Sequence, residues 1–529
     1  MTKPTFYITT PIYYTSGNLH IGHSYTTVVC DVIARYKKLR GYDVFYLTGT
    51  DEHGEKVQIK AAEAGLTPQA FVDGIVDKIK DLWSTLNVDY DKFIRTTDDY
   101  HIESVQKIFS KFVEQGDIYK SNYEGWYCTP CESFWTESQL DENHCCPDCN
   151  RAVEKKTEEA YFFKMSKYVD RLVKYYDEHP DFIEPISRKN EIVNNFIKPG
   201  LQDLCVSRTS FSWGVPVKED PRHVVYVWLD ALTNYINALG YNSSDESLFN
   251  KFWHNDEEHE VLHVVGKEII RFHMIYWPIF LMALGIDIPS KIYAHGWIVM
   301  KDGKMSKSKG NVIKPEPLIE RYGLDAFRYF MIAGIPFGED GLFTPETFIE
   351  TINTSLVNDF GNLLNRTIGM ISKYFGGDIP AYKGDVTAFD KAFRTFGEAC
   401  INEYENHMDK FKVDEGIKAA IEYISRANKY IEETTPWALA KDETRKEELA
   451  SIMTHLVACL RQTAIMLSPV LLKAPEVLFN ALDIPSELRT YESLRDFGVI
   501  SGGKVSKIAP LFPRIDASID TEVIANLMK

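Results

Sequence analysis

An alternation of strand-like and helix-like apolar segments runs from residue 5 to about residue 115. It lapses until about residue 222 and then resumes, so the chain is constrained to an α/β core split by an inserted segment. Thr5 to Thr10 is rich in β-branched and aromatic residues. Tyr25, Val28, Val29, Val32, Ile33, Tyr36 and Leu39 recur at helical spacing up to Gly41, and Val44 to Thr48 predicts a second buried strand. Strand, helix and strand in that order make a βαβ unit with parallel strands, whose ligands sit beyond the strands' carboxyl ends. His20, His23 and the run Thr50-Asp51-Glu52-His53 fall at such ends. In the second half, Val261 to Val265 predicts a strand stopped by Gly266-Lys267, Phe272 to Leu284 a helix, and Ile292 to Val299 another strand. From about residue 351 the strand signal fades. Helical spacing over Phe360 to Tyr374, Ala392 to Met408, Val413 to Ile431 and Leu449 to Leu467 predicts an α-helical bundle, with a linker or short terminal helix after Pro513.

A chain of 529 residues exceeds what one hydrophobic core supports, and three or more structural units are expected. Its 44% apolar and 26% charged content is that of an ordinary globular protein. No run approaches the ~18 apolar residues of a membrane span and no charged-then-apolar leader opens the chain, so a cytoplasmic protein is expected. A net charge of −17 does not exclude nucleic acid in a chain this large, because local basic patches decide such binding. The lysines between 301 and 314 and the Lys/Arg positions 188, 189, 198 and 208 could form them.

Five of the nine cysteines lie between Cys128 and Cys149. Cys128-x-x-Cys131, fourteen residues, and Cys146-x-x-Cys149 is a four-thiolate spacing that suits tetrahedral zinc. Four thiolates close the coordination sphere, so the metal would be structural. Cys145 is a spare that could replace Cys146.

Two short motifs carry the chemistry. His20-Ile21-Gly22-His23 sits where the first strand turns through Ser16, Gly17 and Asn18 into a helix, whose N-terminus welcomes phosphate. Far downstream, Lys304-Met305-Ser306-Lys307-Ser308 is a lysine-rich loop between Gly303 and Gly310. In this order the pair resembles the two signatures of class I aminoacyl-tRNA synthetases. The resemblance implies a split Rossmann-like domain, with ATP bound by His20, Gly22, His23, Lys304, Ser306 and Lys307. Attack of a carboxylate on the α-phosphate would be promoted by His20, His23, Lys304 and Lys307, with Mg²⁺ bridging the phosphates.

The runs Thr10-Pro11-Ile12-Tyr13-Tyr14, Thr48 to Gly54, Tyr226 to Leu232 and Arg271-Phe272-His273 extend the resemblance to bacterial methionyl-tRNA synthetases over nearly the whole chain. It implies that Asp51 binds the substrate ammonium, and that Ile12, Tyr14, Trp228, Ala231, Tyr235, Phe272 and His273 line a pocket for the thioether. Soft sulfur against aromatic walls makes physical sense of such a pocket. The segment 116–222 is too short for a hydrolytic editing domain beside a zinc knuckle, which favours methionine over isoleucine, leucine or valine.

In the helical region, Asn362 and Arg366 share a helix face, and Asn428-Lys429-Tyr430 is followed by Thr435-Pro436-Trp437. The resemblance makes Asn362, Arg366 and Trp437 anticodon readers. Many relatives continue past Leu511-Phe512-Pro513-Arg514 into a further tRNA-binding and dimerising domain. Here fifteen residues follow, so a monomer is expected.

The implied organisation is 1–115 and 223–295 as catalytic halves, 116–222 as a zinc-bearing insertion, 296–350 as the lysine-loop and stem-contact region, 351–510 as an anticodon-binding bundle and 511–529 as a tail. The implied activity joins L-methionine through its adenylate to tRNA(Met). Two rivals remain: a nucleotidyltransferase of the same fold that uses the histidine motif on a small metabolite without RNA, and a non-catalytic RNA-binding relative of the synthetases. The helical bundle speaks against the first, and the intact histidines and lysines against the second.

Overall fold

The computed structural model describes residues 3–17, 19–131, 133–135, 137, 140–147, 149–301, 303–304, 312–500 and 502–527. Contacts divide the chain into two compact units, Met1–Leu19 with Gly41–Gly296 and His20–Arg40 with Trp297–Lys529.

In the first unit a seven-stranded sheet has the order Tyr13–Tyr14, Asp43–Asp51, Thr5–Thr9, His259–Gly266, Lys291–His295, Ile183–Glu184, with Lys92–Arg95 also paired to Asp43–Asp51. Every pairing is parallel, as the βαβ reading expects. Thr5–Thr9 is buried at all five positions, which is why it reads as a run of β-branched and aromatic residues rather than an apolar–polar alternation. It lies between the strand of the first half and the strand of the second, so the two halves meet edge to edge. Gly49 is required by the sheet itself, because a β-carbon there would lie 2.1 Å from the carbonyl oxygen of Ile94 on the neighbouring strand.

The inserted segment has a sheet of its own, although the strand–helix alternation of the sequence lapses there. It forms an antiparallel sheet in the order Ser133–Trp135, Ile118–Cys128, Glu154–Phe163, Leu204–Cys205. It also lends Ile183–Glu184 to the edge of the parallel sheet, and Phe163, Met165, Tyr176 and Phe182 join the same core as Phe280. The inserted segment is therefore packed into the core of the first unit rather than appended to it.

Ile292 to Val299 is not one strand. Lys291–His295 ends the parallel sheet, and Ile298–Met300 belongs to a small sheet in the second unit with Gly303–Lys304 and Gly341–Leu342. The break falls at Gly296-Trp297, where the Asp340 carboxylate accepts the Trp297 N–H at 2.8 Å and the Trp297 carbonyl accepts the Gly341 N–H at 2.9 Å. These bonds give the backbone new partners beyond the first sheet.

The second unit is helical. Ile21–Leu39 packs with Leu324–Ala333 and Val413–Thr434. Asp390–Asp409, Val413–Thr434 and Lys446–Leu467 match the predicted bundle helices. The helix expected from Phe360 is instead entered through a π-helical stretch, Ile352–Gly361, that runs into Asn362–Phe375. The segment Glu443–Leu467 is long and apolar enough to cross a membrane, contrary to the sequence reading, but 94% of its apolar window is buried inside the protein as the core of the bundle. Ala517–Leu527 is the short terminal helix.

Candidate active site

His20 caps helix Ile21–Leu39. Its Nδ1 accepts the Gly22 N–H at 3.1 Å, and its own N–H is donated to His23 Nδ1 at 3.1 Å. A ring nitrogen that accepts a hydrogen bond carries no proton, so this reciprocal cap holds each imidazole neutral with its hydrogen on Nε2. The rings lie 4.0 Å apart, centroid to centroid. Two Nε2–H donors at the positive end of a 19-residue helix make an anion-seeking pair.

The described segments that flank the lysine loop are fixed by backbone bonds. Lys304 enters it from a strand whose backbone pairs with Val299, and on the far side the Ile313 carbonyl accepts the Ile21 N–H at 3.0 Å. One stem of the loop is thus bonded to the first turn of the histidine helix. Gly303, at φ 102°, supplies a left-handed turn that a side chain resists. Ser306 and Lys307 lie outside the described residues, as does the Lys304 side chain.

In the first unit Asp51 closes strand Asp43–Asp51, 7% exposed and in register with Tyr14. Trp228 and Ala231 are one turn apart on helix Val227–Asn237. Trp228 stacks on Phe272 with centroids 3.6 Å apart and planes within 6°. Tyr235 donates its hydroxyl to His273 Nε2 at 2.7 Å, while His273 Nδ1 donates to the Ile269 carbonyl at 3.0 Å. Burial pushes this imidazole down to about 4, so it stays a neutral acceptor. Ile12, Tyr14 and Trp228 are half-buried against the core that contains Tyr235 and Phe272. The predicted aromatic pocket residues are therefore brought together.

Three groups near these predicted pocket residues escaped the sequence reading. Asp230, 1% exposed, is gripped by His53 Nδ1 and His101 Nε2, each at 2.7 Å. Burial raises its carboxyl, but the two imidazoles outweigh that and hold it down to about 2. His53 and Asp230 lie inside the quoted runs, where only their position beside pocket residues could have singled them out. His101 has no local signal at all.

The four predicted thiols converge, with their sulfurs all within 4.8 Å of one another. Cys128 and Cys149 are 3.5 Å apart, Cys131 and Cys146 3.9 Å. A tetrahedral zinc with Zn–S of about 2.3 Å needs sulfurs about 3.8 Å apart, so the set fits that ion. Neighbouring sulfurs, Cys128 first, drive the Cys131 thiol well above its ordinary value, which is the penalty a bound cation would relieve. Cys145 is outside the cluster and turns its sulfur to the Asn143 carbonyl.

In the bundle, Asn362 is exposed and Arg366 lies one turn on, paired to Glu432 at 2.6 Å. Trp437 is 44% exposed on the short helix Pro436–Leu439.

The family described as tRNA synthetases class I (M) matches residues 6–158 and 142–368. With the parallel sheet and the paired motifs, this defines a class I tRNA synthetase. The chain is 56% identical over 528 residues to the methionine–tRNA ligase of Clostridium tetani, covering 100% of this chain and 81% of that one. It is 56% identical over 532 residues to that of Enterococcus faecalis, covering 98% and 78%. The Mycobacterium tuberculosis methionyl-tRNA synthetase bound by methionyl-adenylate superposes with a TM-score of 0.91 at 36% identity, covering 96% of this chain and 100% of that one. The chain belongs to the methionine–tRNA ligase family.

Proposed function

We infer that this protein activates L-methionine with ATP to methionyl-adenylate and pyrophosphate, then transfers the methionyl group to the 3′-terminal adenosine of tRNA(Met). The observation that carries this is the bond between Ile313 and Ile21, which ties the lysine-loop stem to the histidine helix. Activation needs the charge on departing pyrophosphate stabilised: the Nε2–H donors of the neutral His20 and His23 would hydrogen-bond it, and Lys304 and Lys307 would add the positive charge that offsets it. Gly22 leaves room for the nucleotide, and Ser306 is a further phosphate contact. A Mg²⁺ ion bound with ATP would supply Lewis-acid stabilisation of the phosphate charge.

Asp51 takes the substrate ammonium, while Ile12, Tyr14, Trp228, Ala231, Tyr235, Phe272 and His273 enclose the side chain. A neutral His273 suits this role, because an imidazolium would be poorly placed beside a buried thioether. We read 351–510 as the anticodon-binding bundle, with Asn362, Arg366 and Trp437 as its base contacts, and Cys128, Cys131, Cys146 and Cys149 as ligands of a structural zinc in the insertion.

The test is ATP–pyrophosphate exchange with each amino acid in turn, followed by charging of methionine tRNA. Exchange should depend on methionine and fail with leucine or isoleucine. Lys307→Ala should cost roughly 2–4 kcal/mol of transition-state stabilisation while leaving methionine affinity in place. Exchange without amino-acid preference would overturn the reading.

A further inference from the structure

The buried group around Asp230 has a geometry that methionine activation, as described above, does not use. Its carboxylate joins three elements of the first unit. His53 lies just past strand Asp43–Asp51, His101 is on helix Asp99–Glu114, and Asp230 itself is on helix Val227–Asn237. The proton positions follow from the partners. Ser104 donates to Asn237 Oδ1 at 2.6 Å, which turns the amide so that its nitrogen donates to His101 Nδ1 at 3.1 Å. His101 Nδ1 is then an acceptor, and its Nε2 must carry the hydrogen given to Asp230. Asp230 Oδ2 accepts the hydrogen on His53 Nδ1. With 0% exposure at His101, 4% at His53 and 1% at Asp230, water cannot replace any of these bonds.

The placement along the sequence matters as much as the burial. Asp51 is two residues before His53, and Trp228 is two residues before Asp230. A single 2.7 Å hydrogen bond therefore connects the chain segment that carries the ammonium partner with the helix that carries the aromatic wall. His101 fixes the second carboxylate oxygen, so the helix cannot pivot about the first bond. We propose that Asp230, through His53 and His101, is a positioning residue for amino-acid recognition, setting the separation between Asp51 and Trp228 so that one ligand can satisfy both ends. This rests on the reading of Asp51 and Trp228 as pocket residues.

Asp230→Asn keeps the size of the side chain and an oxygen for His101, but sets an N–H against the N–H of His53. In the whole chain the KM for methionine should rise about tenfold or more, with the KM for ATP and kcat nearly unchanged. Because that variant could fold poorly, His53 is tested as a pair. His53→Ala removes the donor and should raise the methionine KM, whereas His53→Asn returns an N–H near the Nδ1 position and should restore most of it. Equal damage to both KM values and kcat, or no rescue by asparagine over alanine, would mean that the triad only supports the fold and would overturn the proposal. Asp51→Ala is measured alongside by equilibrium methionine binding. If it abolishes binding while Asp230→Asn has no effect, the positioning role fails alone; if neither matters, the pocket reading fails and the proposal with it.

Discussion

The guanidinium of Arg328 reaches the carboxylate of Asp31 at 2.6 Å, and neither side chain has any exposure. Asp31 lies on the helix capped by His20, and Arg328 also donates to the carbonyls of Pro469 and Val470 at 3.0 Å each, in the bundle. The histidine helix is thereby fastened to the helical half of its own unit. Desolvation lowers the Arg328 affinity for its proton, and the Asp31 charge opposes that loss.

Removing one partner of such a pair leaves a buried charge unanswered. Asp31→Ala should destabilise the protein by about 3–5 kcal/mol, more than the joint replacement Asp31→Leu with Arg328→Met, which removes both charges. Denaturant midpoints for the two variants decide it. If the double replacement were the less stable, the cost would lie in packing rather than in the orphaned charge.

His273 gives a pH dependence with a definite sign. Burial pushes its imidazole from 6.5 down to about 4. Above pH 6.5 the ring is neutral in the folded and unfolded chain alike and adds no pH dependence. As the pH falls from 6.5 toward 4, the unfolded chain gains a proton that the folded site refuses, so stability is lost across that window, on the order of 3 kcal/mol at its lower end. His273→Gln should show a shallower decline between pH 7 and pH 4.5 in urea unfolding. Parallel curves for the two proteins would refute the assignment.

The zinc site makes a prediction that separates two adjacent cysteines. Cys146 is buried within the thiol cluster, whereas Cys145 lies outside it. Cys146→Ser should lose metal and lower the melting temperature, while Cys145→Ser should keep one zinc per chain by elemental analysis. Loss of zinc in both would mean that the cluster rearranges around either thiol.

What the sequence made legible follows from how each signal arises. The parallel strands, the bundle helices and the cysteine quartet were readable because buried faces and metal ligands impose periodicity and spacing locally. The break at Gly296-Trp297 was not, since it depends on Asp340, more than forty residues away, accepting a backbone N–H. The strand Ile183–Glu184 was equally hidden: two residues carry no pattern, and only its pairing with Ile292-Tyr293 gives it a role. The same applies at the site. His20 and His23 announce themselves by adjacency, but the bonds joining Asp230 to His53 and His101 bring together residues separated by more than a hundred positions, and hydrogen bonding between distant segments leaves no trace in composition.

Trp437 offers the cleanest test of the proposed RNA-binding role of the bundle. It is 44% exposed, whereas Tyr430 on the preceding helix is fully buried, so its indole covers little core and its loss should leave the bundle folded. Aromatic platforms of this kind contribute about 1–3 kcal/mol when a base stacks on them. Trp437→Ala should therefore weaken charging of methionine tRNA by that amount, seen in KM for tRNA, while ATP–pyrophosphate exchange, which needs no RNA, keeps its rate. Circular dichroism on the same preparation checks the fold. Equal loss of both reactions would place Trp437 in a structural role and overturn its proposed anticodon contact.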